Sequence, residues 1–233
     1  DFIFEKPEHP VDSIKNNIEE IKFQSDSDSD LVLVVEDNDD LRHFISSNLH
    51  KKYRVIEAQN GKTGLEKALE TIPDLIISDV MMPEMNGLEM AARLKNDERT
   101  SHIPVILLTA RVSQEHIIEG LETGADEYLS KPFSIKELSL RIKNLLTTRQ
   151  LLRDKLYKMP ELNLSEIPIS SLDEKLLKRA IDHIEVHMDD SEYEVPQFCS
   201  DMGMSRTNLH RKLKAITNQS TTEFIRNIRL RRA

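Results

Sequence analysis

The chain has almost no cysteine, no long apolar run and no glycine-rich nucleotide loop, and each shortage closes off a class of protein. Cys199 is the single cysteine, which excludes an internal disulfide and argues against a cysteine-based zinc site. No stretch of about 18 apolar residues occurs, the length that a membrane-spanning helix needs. The opening residues Asp1-Phe2-Ile3-Phe4-Glu5-Lys6 lack the basic-then-apolar order of a secretory leader. Their abrupt start reads as a piece cut from a longer polypeptide, and the expected setting is reducing and cytoplasmic. What is present is the balance of a globular protein, with 38% hydrophobic and 31% charged residues in a chain of 233. That length suits one full domain and a smaller or partial one.

The formal charge of −9 is unevenly spread. Residues 1–150 hold 18 Lys and Arg against 28 Asp and Glu, a net of −10. Residues 151–233 hold 14 against 13, a net of +1. From Met204 onward there are eight basic residues and one acid, Glu223, a net of +7. An acidic chain thus ends in a basic tail, the electrostatic footprint of a nucleic-acid partner.

Residues 1–30 read as a linker that closes on the alternating run Ser25-Asp26-Ser27-Asp28-Ser29-Asp30. Such a run cannot bury a core and serves as a solvated spacer. It lacks the glycine and the spacing of a calcium loop. Between residues 31 and 148, short β-branched runs alternate with amphipathic stretches. The runs are Leu31–Val35, Tyr53–Ala58, Leu75–Ser78, Val105–Leu108 and Glu127–Leu129. Continuous apolar strands separated by helices of 10–15 residues predict a parallel sheet covered on both faces. Five such units make an α/β domain of the flavodoxin-like, doubly wound type, which places its ligand beyond the carboxyl ends of the strands. Residues 149–172 read as a second linker, helical at first and then broken by Pro160 and Pro168. Residues 173–233 read as a small all-α unit. Leu177, Ile181, Ile184 and Met188 form one apolar stripe, and Ser220 with Glu223 has capping-box spacing for a final helix.

Acids cluster at two predicted strand ends: Glu36 and Asp37 after the first, Asp79 after the third. Three adjacent carboxylates raise one another's pKa unless a cation joins them, and a hard divalent ion such as Mg²⁺ takes oxygen ligands of this kind. Thr109 and Lys131 follow the fourth and fifth strands, so a hydroxyl and an ammonium reach the same pocket. The set suits phosphoryl transfer to a carboxylate. Asp79 needs no base to act as nucleophile. Lys131 stabilises charge on the transferring oxygens, and Thr109 donates to the product. Any one of these residues alone is an ordinary cap, strand end or turn; their common placement at five strand ends carries the reading.

At these residues the stretch 31–148 resembles the response-regulator receiver family over its whole length. The matching motifs are Val34-Val35-Glu36-Asp37-Asn38, Ile77-Ser78-Asp79-Val80-Met81-Met82-Pro83 with Gly87 beyond, Leu107-Leu108-Thr109-Ala110, and Tyr128-Leu129-Ser130-Lys131-Pro132-Phe133. The resemblance implies that Asp79 is phosphorylated by a histidine kinase, and that Glu36, Asp37, Asp79 and the backbone carbonyl of Met81 hold Mg²⁺. It makes Thr109 and Tyr128 a switch pair, Lys131 a contact to the phosphoryl group, and Lys131-Pro132 a cis peptide. Glu36 stands where many relatives carry Asp, a common variant. The face around the fourth helix, fifth strand and fifth helix commonly makes a homodimer on phosphorylation. A related enzyme class, the doubly wound hydrolases with an Asp nucleophile, needs a second Asp where this chain has Met81.

The basic end predicts a helix-turn-helix: a short helix from Pro196 to Met202, a turn at Gly203, and a helix from Ser205 to Ile216. Leu209, Leu213 and Ile216 point inward, leaving Arg206, Thr207, His210, Arg211 and Lys214 for the major groove and phosphates. A solvated basic face on a small bundle has the same pattern. The stretch Val195–Lys214 resembles the first helix-turn-helix of AraC-type regulators, and Phe224–Ala233 resembles the helix joining their two units. The second unit would follow Ala233. Without it, Phe224, Ile225 and Ile228 are expected to form an uncovered apolar side, with weak DNA binding and self-association through that face. A receiver before such a unit resembles the carboxyl end of hybrid two-component regulators of gut bacteria. Their sensor is anchored in the inner membrane, and their kinase activity would lie outside this chain, which is itself not an enzyme. The alternative is a phosphorelay receiver or protein-binding switch whose helical tail is a docking element.

Met81 and Arg111 lie two residues beyond Asp79 and Thr109, where members of the resembled family line the approach of attacking water. Both are bulky, which predicts slow loss of phosphate from Asp79. Replacing both with small residues should speed that loss in a phosphate-release assay; an unchanged rate would overturn the expectation.

Overall fold

A computed structural model describes residues 29–110, 124–158, 170–190 and 192–232. Five parallel strands, β1 (Leu31–Val35), β2 (Arg54–Ala58), β3 (Leu75–Asp79), β4 (Val105–Thr109) and β5 (Glu127–Ser130), form one sheet in the order β2-β1-β3-β4-β5. The helices α1 (Asp39–Leu49), α2 (Gly61–Thr71) and α3 (Gly87–Asn96) follow β1, β2 and β3. Helix α4 (Ile135–Lys158) follows β5. The predicted doubly wound domain is present, with strand limits within a residue of those expected.

The apolar runs are continuous because each strand is buried on both sides. Leu33, Val35, Ile76 and Leu107 join Ala68, Met90 and Leu94 in one core layer. Val32, Val34, Ile77, Ile106 and Leu108 join Ile45, Leu49, Leu138 and Ile142 in the other. Period-two alternation therefore divides one apolar strand between two layers. Asn38, Asn60 and Asn86 cap α1, α2 and α3, their side chains accepting from the backbone N–H of Leu41, Thr63 and Glu89. Asn38 and Asn60 start their helices within a few residues of a strand end, whereas Asn86 follows a longer loop after Asp79.

Helix α4 does not stop at residue 148. It runs on to Lys158 and belongs to two cores: Leu138 and Ile142 pack on the sheet, and Leu152 and Leu156 on the helical unit. The expected helical start of the second linker is thus an extension of a receiver helix; Pro160 and Pro168 lie outside the described residues.

The helical unit comprises α5 (Ser171–Val186), α6 (Val195–Asp201), α7 (Arg206–Thr217) and α8 (Thr221–Arg232). Between α6 and α7 the chain turns at Gly203, whose φ of +64° suits a residue without a Cβ. Ser205 caps α7 by accepting from Asn208 N. At the start of α8 the capping box forms in both directions, Ser220 N to Glu223 Oε2 at 2.8 Å and Glu223 N to Ser220 Oγ at 3.2 Å. One expectation fails. Phe224, Ile225 and Ile228 are 1%, 6% and 3% exposed and lie in the core with Leu177, Ala180 and Leu213. Helix α5 covers the face that was expected to be open, so this face offers no route to self-association.

The unit docks on the sheet domain through a buried polar cluster. Lys212 of α7 is fully buried, and its Nζ donates to Asp173 Oδ1 (2.5 Å) and Ser101 Oγ (3.0 Å) and lies 2.9 Å from His102 Nδ1. Ser101 and His102 stand in the segment between α3 and β4, whereas Asp173 starts α5. Burial pushes the Lys212 ammonium below the ordinary lysine value, and Asp173 opposes that push. Around the rim, Arg153 of α4 donates to Ala215 O (2.6 Å), and Arg179 pairs with Glu98 at 2.9 Å.

Breaking a buried pair by removing one partner costs about 3–5 kcal/mol, whereas replacing both with apolar groups costs much less. Lys212→Met and Asp173→Leu should each lower urea-unfolding stability by about that amount. The double variant Lys212→Met with Asp173→Leu should recover at least half of the loss. Additive losses in the cycle would show that the two groups do not act as a pair.

Candidate functional site

The carboxyl ends of β1 and β3 are adjacent because those strands pair directly, with Val35 opposite Ser78. Glu36 and Asp37 leave β1 where Asp79 ends β3, and carboxylate oxygens of all three lie within 4.8 Å of one another. Asp37 is exposed, while Glu36 and Asp79 are buried at 1% and 8% exposure. The pocket thus has a closed floor and one carboxylate at its mouth.

Lys131, after β5, reaches across β4 to join them. Its Nζ lies 2.9 Å from Glu36 Oε2 and 3.1 Å from Asp79 Oδ1. Burial disfavours the ammonium, but its hydrogen bonds to Glu36 and Asp79 outweigh that and hold its pKa above the usual lysine value. Burial likewise raises the pKa of Glu36, and the nearby Asp79 charge adds to the rise while Lys131 opposes it. One cation among three acids leaves a net −2 when all are ionised. Hard oxygen donors in this number fit a divalent ion.

The backbone around Asp79 is held by several short contacts. Val80 N donates to Asp79 Oδ1 at 2.8 Å and also to Leu108 O at 3.0 Å. Ser78 Oγ donates to Asp79 O at 2.8 Å. Gly87 N donates to Val80 O, and a Cβ on Gly87 would stand 2.0 Å from Asp79 O. Only glycine lets α3 approach the acid's own peptide this closely. On β1, Arg42 Nη1 donates to Glu36 O at 2.7 Å, a brace to which no sequence motif pointed.

Thr109, at the end of β4, and Tyr128, within β5 and opposite Leu107, are half-buried, and Tyr128 packs beside the core layer that contains Leu107. Thr109 O accepts from Lys131 N at 2.7 Å, so the hydroxyl-bearing strand end and the lysine loop are tied directly. The Lys131-Pro132 peptide is cis, as expected. Met81, two residues beyond Asp79, is 75% exposed. Arg111 and the helix expected after β4 fall outside the described residues.

Arg206, Thr207, His210, Arg211 and Lys214 are all exposed on α7. Lys214 donates to Asn218 O at 3.3 Å. Arg211 Nη1 donates to Glu70 O, near the end of α2 in the sheet domain, so one side of this basic face touches the receiver. Among the described residues, no helix is long and apolar enough to cross a membrane.

The response regulator receiver domain model matches residues 32–143. Over 209 residues, 90% of this chain, the sequence is 48% identical to histidine kinase P4 of Formosa agariphila, and spans 15% of that protein. It is 44% identical over 120 residues to hybrid signal transduction histidine kinase D of Dictyostelium discoideum, spanning 8% of that protein. With response regulator ArlR of Staphylococcus saprophyticus it shares 35% identity over 165 residues, 70% of this chain and 69% of the other. The first match extends past the receiver into the helical unit, and the chain covers a small part of either kinase. With the acidic pocket, the sheet order and these likenesses in agreement, the chain belongs to the response regulators, and residues 32–143 are its receiver domain.

Proposed function

We propose that Asp79 accepts a phosphoryl group from a histidine kinase and that its phosphorylation controls DNA binding by the helical unit. The observation that carries this reading is the meeting of Glu36, Asp37 and Asp79 oxygens within 4.8 Å, beside the Lys131 ammonium. A carboxylate oxygen of Asp79 attacks the phosphorus of a phosphohistidine. The new P–O bond forms as the P–N bond breaks, and the imidazole leaves with its electron pair and takes up a proton. In this reading Lys131 Nζ binds a transferring oxygen and Thr109 donates to the product. Glu36, Asp37, Asp79 and the Met81 carbonyl are the proposed shell for Mg²⁺, which when bound neutralises charge on the phosphoryl oxygens.

In this reading the chain is a phospho-acceptor that promotes its own modification and has no turnover substrate. Kinase activity belongs to a longer hybrid parent whose sensor sits in the inner membrane and whose receiver faces the cytoplasm. The match to a histidine kinase across 90% of the chain supports such a parent. The α6–turn–α7 geometry supports an AraC-type helix-turn-helix, with Arg206, Thr207, His210, Arg211 and Lys214 facing DNA and phosphorylation favouring a homodimer. A second reading, the helical unit as a docking element, is favoured by the buried Lys212 and by the Arg211 bond to Glu70 O. Both place α7 against the receiver, so DNA would compete with the receiver for part of that face.

Treatment with acetyl phosphate and Mg²⁺ should add one phosphoryl group to the wild-type chain by intact-mass measurement and none to Asp79→Asn. Addition to the Asn variant would move the acceptor elsewhere. For a form extended through the second unit, log affinity for DNA should fall linearly with log salt if phosphate contacts dominate. Glu36→Gln removes one carboxylate charge from the shell. It should weaken Mg²⁺ binding about ten- to hundredfold by titration calorimetry, roughly 1.4–3 kcal/mol; equal affinity would remove Glu36 from the shell.

A further inference from the structure

A cavity of about 370 Å³ lies at the junction of the receiver and the helical unit, lined from both sides and by α4. This is the size of a small-ligand site. Most of its polar lining is already engaged. Lys95 pairs with Asp126 at 2.7 Å and donates to Ile103 O. Asp173 is bound to Lys212 and Ser101, and Arg153 to Ala215 O. Among the described residues, two groups are not: His102 Nε2 is buried without a partner, and the Arg149 guanidinium is unpaired. Arg149 lines the cavity from α4 and, among the described residues, makes no hydrogen bond and no ion pair, although a guanidinium carries five N–H donors.

The environment of Arg149 is short of negative charge. Burial first, and then the Arg153 charge, bring its pKa down to about 10, against partial support from Asp173, Asp126 and Asp74. Arg149 is half-buried, so its unpaired donors are open to an anion entering the cavity, and closing the site over them without one would be costly. Leu145, Leu152, Leu156 and Ile216 supply the apolar part of the wall, and Thr148 and Ser170 add hydroxyls. The arrangement is a cationic fork beside an apolar strip of a mixed wall, and guanidinium binds carboxylate and phosphate oxygens in two-pronged fashion.

We propose that this junction cavity binds a small organic oxyanion, its carboxylate or phosphate head held by Arg149 and its body resting on the leucine wall. Such a ligand touches both units at once, so its binding favours their docked arrangement.

Titration calorimetry on the full chain, in EDTA at fixed ionic strength, can use two probes: inorganic phosphate and butyrate. At least one should bind with a Kd of about 0.1–5 mM, the range open to ligands this small. Binding of phosphate alone identifies a phosphorylated ligand, and binding of butyrate alone a carboxylate. Arg149→Gln should weaken the binding at least about tenfold, while Arg149→Lys should retain part of it. Thr148→Trp narrows the exposed rim without touching a charge, and should weaken binding similarly if Arg149→Gln does not fold. Absence of saturable binding by both probes, or equal binding in the folded Gln and Trp variants, would overturn the proposal.

Discussion

Everything above the sheet depends on holding like charges together. Glu36, Asp37 and Asp79 offer oxygens within 4.8 Å of one another, and at an effective dielectric of about 20 each such pair repels by roughly 3 kcal/mol. The side chains cannot retreat, because their backbones are fixed by the pairing of β1 with β3 and by core layers on both faces. Lys131 offsets part of the repulsion from the far side of β4. The remaining charge makes the pocket receptive to a cation. The core thus stabilises a local arrangement that the site residues alone would avoid, as functional sites commonly require.

Much of the receiver was legible because burial on both faces leaves a signature in sequence. A strand buried on one side alternates, whereas β1, β3 and β4 read as unbroken apolar runs ended by the residues that enter the pocket. Asp79, Thr109 and Lys131 are visible because a polar residue ending such a run has one available location, the carboxyl edge. Gly87 is also visible in the motif, although its cause, the close approach to Asp79 O, emerges only from the packing.

The helical unit was less legible because its key contacts are distant in sequence. Lys212 looks like one more cation of a basic helix. It stands three residues after Leu209 and four before Ile216, on the buried side, and that spacing is a signal in itself. What the spacing cannot supply is the partner: Asp173, His102 and Ser101 lie 39, 110 and 111 residues away. Phe224, Ile225 and Ile228 failed as an exposed face for the same reason. Their cover comes from α5, some 40 residues earlier, rather than from anything after Ala233.

These distant contacts give β4 a position that its sequence alone does not reveal. The segment before it carries Ser101 and His102, which bind Lys212 of α7. Its last residue is Thr109, beside the acidic pocket, and Thr109 O accepts from Lys131 N. Strand β4 spans only Val105–Thr109 and is buried until its final residue. Helix α4 supplies a parallel link on the other side, with its first half in the receiver core and Leu152 and Leu156 in the helical core. Two rigid elements joining two packed cores form a contiguous physical path for coupling. The acidic pocket and the seat of α7 therefore border opposite ends of one strand and its preceding segment.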